Sequence, residues 1–202
     1  MDKKLIIFGT GGHSKVVGKI TSIPFQPCYY ETEFTDHNKI SIYSMLDVYP
    51  VSEYDAFVAI GDNRARQYVF EELTSHKYNM INVIHPSAIV YGELEGAGIY
   101  IGPNTIIQVG AVIHDGVIVN TAATIDHDST VGAFTHIAPG VNICGHVSIG
   151  KRCLIGAGSA IIPKVVLGDD VIIGAGAAVV DSHSSGAKLL GVPARARITE
   201  SG

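Results

Sequence analysis

Residues 101–150 read IGPNTIIQVGAVIHDGVIVNTAATIDHDSTVGAFTHIAPGVNICGHVSIG, and an aliphatic residue returns in this stretch at every sixth position. The same period extends from Val83 to Val179, where sixteen of seventeen positions are Ile, Leu or Val and only Glu95 differs. Four residues after the aliphatic position the side chain is small or modest, as at Ala111, Ala123 and Ser159. A period of six fits neither an α-helix nor an alternating strand, and it predicts a parallel β-helix of hexapeptide repeats.

The repeat also predicts how the coils pack. Three hexads make one coil, so residues 18 apart in sequence stack directly and the aliphatic side chains fill the interior. We expect one unbroken register from Val83 to Val179. Several glycines directly follow the aliphatic position, and we expect them to supply backbone freedom at the corners. They are Gly102, Gly132, Gly150, Gly156, Gly168 and Gly174.

The flat faces of this β-helix carry few charges. Between residues 101 and 180 the fixed positive charges are Lys151, Arg152 and Lys164. Broad neutral sheets tend to associate unless they are covered. Because symmetric closure is the usual solution, we expect a homotrimer of parallel prisms.

Residues 1–82 have a different pattern and form a separate predicted domain, with the repeat domain spanning 83–202. Short apolar runs at residues 4–8, 55–60 and 80–84 predict three strands, and residues 14–22 and 64–76 predict two helices. This order indicates a small Rossmann-like α/β layer with parallel connections.

A glycine turn, Gly9-Thr10-Gly11-Gly12-His13, joins the first predicted strand to the first predicted helix. This geometry points backbone N–H groups at an anion. The dinucleotide fingerprint would need a glycine at Ser14, although Glu31 and Glu33 lie near its acidic position. We therefore expect the turn to contact the nucleotide of a sugar nucleotide. A tight turn that binds nothing is the alternative.

Composition excludes several classes of protein. The formal net charge is −5 and no run of Lys and Arg occurs, which argues against nucleic-acid binding. The longest apolar stretch, residues 171–180, includes two glycines and is too short to span a membrane. Residues 5–8 are too short for a secretory leader, so we expect a cytoplasmic protein without membrane insertion. Three cysteines without metal-type spacing do not make a disulfide framework.

Further motifs are Ala59-Ile60-Gly61-Asp62-Asn63, Asn120, Ile125-Asp126-His127-Asp128, His136 and Gly191-Val192-Pro193-Ala194-Arg195. With the glycine turn and the hexads, they make the chain resemble the left-handed β-helix acyltransferases that carry an N-terminal Rossmann-like domain. That subgroup includes sugar-nucleotide N-acetyltransferases of the bacillosamine and perosamine type and sialic acid O-acetyltransferases. The resemblance covers essentially the whole chain.

The resemblance implies a homotrimer that binds acetyl-CoA in a cleft between neighbouring β-helices. It implies that His127 is the general base and that Asp128, where the subgroup commonly has Glu, assists it. The residues implied to contact acetyl-CoA are His136, Gly145, Ala157 and Ala175. The residues implied to hold the sugar nucleotide are Gly11, Gly12, His13, Gly61 and Asn120.

The chemistry of His127 also follows from its neighbours. Imidazole is suited to removing a proton near neutral pH, and an adjacent carboxylate fixes its tautomer. In an extended strand Asp126 and Asp128 would point away from His127 unless the corner reorients one of them. Stacking offers Asp128 a rival partner, since His146 occupies the equivalent position of the next coil.

The other histidines receive different interpretations. His136 is expected at another corner, and it could meet His127 across a subunit interface. Either His136 or backbone N–H groups would then stabilise the oxyanion. His13 is open between substrate contact and turn packing. For His146, His114 and His85 a solvated surface position is the favoured interpretation.

Two alternative chemistries are disfavoured. Zinc needs three converging ligands, and the spacings among His114, His127, His136 and His146 are 9, 10, 13, 19, 22 and 32, none a multiple of 18. We therefore expect no metal. Cys153 is predicted to be interior and inert, although Cys144 is left open, so direct attack without an acyl-enzyme is the simpler route. Several basic residues lie toward the C-terminal end of the chain, where they either contact the phosphates of coenzyme A or lie on the solvated surface. They are Lys151, Arg152, Lys164, Arg195 and Arg197.

These observations lead to an acetyl-CoA-dependent N-acetyltransferase acting on a nucleotide-linked amino-deoxy sugar, with UDP as the expected nucleotide. The alternative enzyme is an O-acetyltransferase acting on a sialic-acid-like or other sugar hydroxyl. The non-enzymatic alternative is a scaffold that has kept the β-helix.

Overall fold

The computed structural model describes residues 3–9, 11–21, 25–28 and 48–196, with the backbone alone for residues 25–28. Thr10, Glu31, Glu33 and Arg197, named above, lie outside the described residues. Two compact units span residues 1–83 and 84–202. Among the described residues, no helix has the length and apolar character needed to cross a membrane.

The N-terminal unit is a three-stranded parallel sheet, ordered β2-β1-β3, with two helices. Its elements are β1 (Lys4–Phe8), α1 (Gly12–Ile20), β2 (Phe25–Cys28), β3 (Tyr54–Val58) and α2 (Asn63–Ser75). β1 is the central strand, paired with β2 on one edge and β3 on the other, and its residues Leu5 to Phe8 are all buried. A strand that is buried on both faces has a continuous apolar run of this kind. Helix α2 begins after Asp62, whose Oδ1 accepts a hydrogen bond from the backbone N of Ala65 at 2.8 Å.

The strand expected at residues 80–84 is not formed as one element. Met80 makes only an isolated parallel bridge to Ala56 of β3. The following pair, Val83–Ile84, forms β4 and belongs to a different sheet. The first residue of this apolar run therefore pairs with the N-terminal sheet, and its last two residues belong to a sheet of the β-helix. Periodicity alone does not predict this division.

The C-terminal unit is a parallel β-helix whose short strands form three sheets, here called faces 1, 2 and 3. Face 1 contains β4 (Val83–Ile84), β7 (Tyr100–Ile101), β10 (Ile118–Val119), β13 (His136–Ile137), β16 (Leu154–Ile155), β19 (Ile172–Ile173), β21 (Lys188–Leu190) and β22 (Arg195–Ala196). Face 2 contains β5 (Ile89–Val90), β8 (Ile106–Ile107), β11 (Thr124–Ile125), β14 (Asn142–Ile143), β17 (Ala160–Ile161) and β20 (Ala178–Val179). Face 3 contains β6 (Glu93–Leu94), β9 (Val112–Ile113), β12 (Thr130–Val131), β15 (Ser148–Ile149) and β18 (Val166–Leu167).

The predicted stacking is confirmed through most of the β-helix. Ile125 lies in register with Ile107 of the coil below and with Ile143 of the coil above. The aliphatic residue of each strand points inward, and Ile107, Ile125 and Ile137 are fully buried. Burying such a side chain stabilises the fold by roughly 1.5–3 kcal/mol.

The expected unbroken register is wrong in the first coil. Val90, not Ile89, lies opposite Ile107, and Leu94, not Glu95, aligns with Ile113. Ile89 is consequently 45% exposed. The stacked residues are 17 apart for Val90 and Ile107 and 19 apart for Leu94 and Ile113, instead of 18. Neighbouring residues therefore exchange the interior position in this coil.

The corners follow a period of six that the sequence does not display. A residue with positive φ recurs from Asn104 to Gly176, and Asp128 and His146 occupy two of these positions with φ of 56° and 58°. The glycines that we expected to provide corner freedom have ordinary φ values. They allow close approach instead, since a Cβ on Gly132 would lie 2.6 Å from the carbonyl carbon of Gly150.

Candidate active site

His127 and Asp128 lie at the edge of the β-helix between faces 2 and 3, directly after β11. The positive φ of Asp128 turns its side chain back, and its Oδ2 lies 2.9 Å from Nδ1 of His127. Asp126 fixes the other side of the corner, because its Oδ1 accepts a hydrogen bond from the backbone N of His127 at 2.8 Å. The corner therefore overrides strand alternation and joins His127 to a carboxylate.

The hydrogen bond shifts the pKa of His127 and the pKa of Asp128 in opposite directions. It is the main cause that raises the pKa of His127, with smaller contributions from the charges of Asp126 and Asp128. The same bond is the main cause that lowers the pKa of Asp128, and the nearby His146 adds to this effect. With the carboxylate accepting at Nδ1, the neutral ring carries its proton on Nδ1 and presents Nε2 as the proton acceptor.

His146 stands one coil above Asp128, as the stacking rule allowed. Its Nε2 lies 3.7 Å from Oδ2 of Asp128, and its ring meets the ring of His127 edge to face at 5.0 Å between centroids. Gly145 lies against the His127 ring, so this predicted cofactor residue is placed beside the predicted base.

The expectation that these histidine spacings prevent convergence is wrong. His127, Asp128 and His146 offer one ligand atom each, and these atoms all lie within 4.8 Å of one another. The two histidines are not separated by a whole number of coils, but side chains at a corner spread across the coil boundary, so exact stacking is not required. These donors are of the kind that bind zinc. The 2.9 Å separation of His127 and Asp128 is that of a hydrogen bond, which is the arrangement present.

The corner position expected for His136 is wrong, because this residue lies within strand β13 on face 1. It contacts Asn120, which follows the adjacent strand β10. The Asn120 Oδ1 accepts a hydrogen bond from the backbone N of Thr121 at 2.8 Å, so its amide nitrogen faces Nε2 of His136 at 3.3 Å. That nitrogen donates, so Nε2 accepts and the neutral His136 ring carries its proton on Nδ1. Asn120, predicted as a substrate residue, is thus placed with the predicted cofactor residue His136.

Ala157 and Ala175 are exposed and stack in adjacent coils, at the edge between faces 1 and 2. Asn120 follows β10 at this same edge. Within one chain, the structure therefore separates two groups of predicted residues. The edge between faces 2 and 3 holds His127, Asp128, Gly145 and His146, and the other edge holds Asn120, Ala157 and Ala175 beside His136.

The glycine turn lies in the N-terminal unit where the parallel strands β1 and β3 end. The chain passes so close there that a Cβ on Gly9 would lie 2.5 Å from the carbonyl oxygen of Ala59. Gly11 and Gly12 after β1 and Gly61 after β3 are exposed, and a Cβ on any of them would meet nothing within 4 Å. His13 is half-buried in the first turn of α1. The backbone of both turns is thus open to a ligand.

Arg66 is a feature that the sequence reasoning missed. This buried side chain donates hydrogen bonds from Nη1 to the carbonyls of Ile60 and Gly61, at 2.9 and 3.1 Å. Burial lowers its pKa to about 9, although the charge of Asp62 opposes the shift. An arginine on the apolar face of α2 was the available signal, and its effect is to hold the Gly61 turn in place.

Of the basic residues toward the C-terminal end of the chain, Arg152 donates two hydrogen bonds to Asp170, at 3.0 and 2.8 Å. Arg195 lies 3.7 Å from Asp181 at an exposed position. Lys151 and Lys164 are exposed. These two lysines remain the simplest candidates for contacting a phosphate.

Cys153 is fully buried, and its Sγ lies 3.2 Å from the carbonyl of Gly168. Burial raises the pKa of this thiol, which disfavours the reactive thiolate. The interior position expected for Cys153 is therefore observed.

Comparison with protein families gives two matches. Residues 4–73 match the PglD N-terminal domain, and residues 146–180 match the bacterial transferase hexapeptide model of six repeats. Among curated proteins, GDP-perosamine N-acetyltransferase from Escherichia coli O157:H7 is 33% identical over 105 residues, which are 52% of this chain and 48% of the relative. The chain spans about half the length of the curated relatives that it matches.

Solved structures match along nearly the whole chain. The acetyltransferase domain of PglB from Neisseria gonorrhoeae FA1090 is 32% identical, with a TM-score of 0.85, and the match covers 97% of this chain and 100% of that domain. The same domain has been solved with acetyl coenzyme A. PerB from Caulobacter crescentus, in complex with CoA and GDP-perosamine, is 32% identical, with a TM-score of 0.82 and coverage of 96% and 97%.

Proposed function

The chain belongs to the left-handed β-helix, hexapeptide-repeat sugar acyltransferases with an N-terminal PglD domain, and from this premise we propose that it is an N-acetyltransferase. The proposed reaction moves an acetyl group from acetyl-CoA to the amino group of a nucleotide-linked amino-deoxy sugar. Acetyl coenzyme A and CoA in the two related structures support this choice of donor.

The observation that carries the proposal is the hydrogen bond between His127 and Asp128. It leaves Nε2 of His127 as the proton acceptor, on a side chain that is 48% exposed and therefore accessible to substrate. The sugar amine attacks the thioester carbonyl as Nε2 takes a proton from its nitrogen. The new N–C bond forms, the C–S bond breaks, and the imidazolium returns the proton to the departing sulfur.

We assign His136 to the developing oxyanion. Since Asn120 donates to Nε2, the neutral His136 ring carries its proton on Nδ1, and we propose that this histidine contacts acetyl-CoA near the thioester oxygen. This tautomer supports the role implied for His136, and it gives Asn120 an indirect part through His136.

A homotrimer is part of the proposal. The proposed base shares its edge with Gly145, whereas Ala157 and Ala175, also proposed for acetyl-CoA, lie at a different edge of the same β-helix. One site that uses all of them needs edges from two chains. On face 1, His136 is followed in the same outward column by Leu154 and Ile172, which are 38% and 39% exposed. An apolar column beside a site residue is suited to contact with a second copy.

The open turns at Gly11, Gly12 and Gly61 are proposed to hold the sugar nucleotide, with His13 beside them. Backbone N–H groups at the start of a helix suit its phosphates. We propose UDP as the nucleotide. The perosamine enzymes are named for a GDP-sugar, so GDP is the necessary comparison.

The test is an assay of the purified chain with acetyl-CoA and paired sugar nucleotides that carry either an amine or a hydroxyl at the same carbon. Each pair is supplied as the UDP and the GDP form, and product mass is measured. We expect acetylation of the amine and the fastest turnover with UDP. Acetylation of the hydroxyl alone would establish the O-acetyltransferase alternative. No calorimetric heat with acetyl-CoA would establish a scaffold.

A further inference from the structure

The carboxylate of Asp128 lies between two imidazoles. Its Oδ2 is 2.9 Å from Nδ1 of His127 and 3.7 Å from Nε2 of His146. We propose that His146 is a positioning residue, which holds this carboxylate in place and thereby orients the ring of His127. The inference rests on the proposed function, because it assigns His146 to the same reaction.

The backbone builds this arrangement. Asp128 and His146 occupy equivalent corners one coil apart, and both have left-handed φ values, 56° and 58°. The backbone N of His146 donates to the carbonyl of His127 at 2.9 Å, which ties the two corners together. Residues with the same backbone conformation in stacked coils point their side chains in the same direction, so the imidazole of His146 stands above the carboxylate.

Because the hydrogen-bonded pair of His127 and Asp128 is exposed, it needs a neighbouring side chain to hold its geometry. The side chains of His127 and Asp128 are 48% and 54% exposed, so solvent alone would leave both free to change rotamer. The His146 ring limits this freedom by packing at 90° against the ring of His127, with centroids 5.0 Å apart. The His127 ring is thereby held by a carboxylate at Nδ1, by Gly145 along the ring and by a second imidazole.

His146 also shares the charge of Asp128. At 3.7 Å the contact with Oδ2 is an ion pair whenever His146 is protonated, and the charged groups around His127 are then Asp126, Asp128 and His146. An imidazolium at His146 competes with His127 for the carboxylate. Without His146, Asp128 would lose this second contact and would be held by its hydrogen bond to Nδ1 of His127 alone.

The test compares His146→Ala, His146→Gln and the wild type in the acetyl-transfer assay across a pH series. Glutamine places a neutral N–H donor near the position of the imidazole Nε2. We expect His146→Ala to lower kcat about tenfold with both KM values unchanged, because a misplaced catalytic group costs rate rather than affinity. His146→Gln should recover kcat to within about threefold. The control is His114→Ala, another β-helix histidine, which should match the wild type.

Two results would overturn the inference while leaving the proposed function intact. One is a His146→Ala enzyme with wild-type kcat and pH profile, measured alongside an inactive His127→Ala enzyme. The other is a His146→Gln enzyme as slow as His146→Ala with raised KM values, which would indicate general damage. A wild-type protein that transfers no acetyl group to any sugar nucleotide would instead overturn the proposed function, and the inference with it.

Discussion

Gly145 lies directly against the imidazole of His127: a Cβ atom on Gly145 would stand 2.6 Å from Nε2 and 2.7 Å from Cε1. The obstructed atoms belong to the end of a flexible, exposed side chain, so the ring can swing away at little cost in stability. We predict that Gly145→Ala lowers kcat at least tenfold, since displacement of a catalytic group by about 1 Å can cost 100-fold. Steady-state rates and the melting temperature of the variant measure the two effects separately.

The matched control is Gly186→Ala. A Cβ at Gly186 meets nothing within 4 Å, although its φ of 78° makes alanine mildly strained. This variant should lose some stability and keep its kcat. If Gly145→Ala turned over at the wild-type rate, the placement of the His127 ring above Gly145 would have no catalytic meaning.

The pH dependence follows from the pair of His127 and Asp128. The base must be neutral to accept a proton, and the hydrogen bond to Asp128 raises the pKa of His127. As the pH falls, activity should therefore begin to decline at a higher pH than it would with an unperturbed imidazole as the base. Asp128→Asn removes the charge that stabilises the imidazolium, and the acid limb of kcat/KM should then move to lower pH. Its plateau should fall roughly 10- to 100-fold, because an amide no longer stabilises the protonated base.

A pH–rate profile of both proteins decides this point. An unchanged acid limb in Asp128→Asn would mean that another group, not His127, controls the rate.

Asn120→Asp tests the tautomer of His136. The substituted side chain is nearly isosteric and can still accept a hydrogen bond from the backbone N of Thr121. Its second oxygen, however, would accept a hydrogen bond from Nε2–H of His136, whereas the amide nitrogen of Asn120 donates one to Nε2. Turnover should fall by up to about 100-fold, the loss typical of an oxyanion donor. Nitrogen NMR should show the Nε2 of His136 protonated in the variant and unprotonated in the wild type at high pH. Equal spectra would contradict the assignment.

Two buried serines test the interior of the β-helix. Ser129 Oγ donates to the carbonyl of Cys144 at 3.0 Å and accepts from the backbone N of Val147 at 3.1 Å. Ser159 Oγ is buried without a hydrogen-bond partner among the described residues. Ser129→Ala should therefore destabilise by roughly 1–3 kcal/mol, because it leaves a buried N–H and a carbonyl unpaired. Ser159→Ala should be neutral or stabilising, and denaturant unfolding midpoints compare the two. Equal losses would contradict this hydrogen-bond pattern.

The hexad period predicted the β-helix because interior stacking leaves an aliphatic residue at every sixth position. It failed at Ile89, where the adjacent Val90 is equally apolar and takes the interior place. The period of the left-handed corners was not visible, because residues as different as Asp128, His146 and Lys164 adopt positive φ there. Periodicity reports what is buried, and these corner side chains are exposed.

The candidate site was predictable in part. The neighbours of His127 and the position of His146 one coil above Asp128 follow from sequence spacing. The choice of Asp128 as the hydrogen-bond partner depends on its φ of 56°, which spacing does not encode. The position of Arg66 on the apolar face of α2 could have marked it as buried, but its hydrogen bonds to the carbonyls of Ile60 and Gly61 have no pattern along the chain.

The central claim is that His127 removes the proton from the attacking amine. The most direct measurement is single-turnover acetyl transfer by His127→Ala, with the oligomeric state checked by sedimentation. A rate at least about 100-fold below that of the wild type, in a trimer that still binds acetyl-CoA, is the result that we predict. A variant that transfers acetyl groups as fast as the wild type would contradict the account.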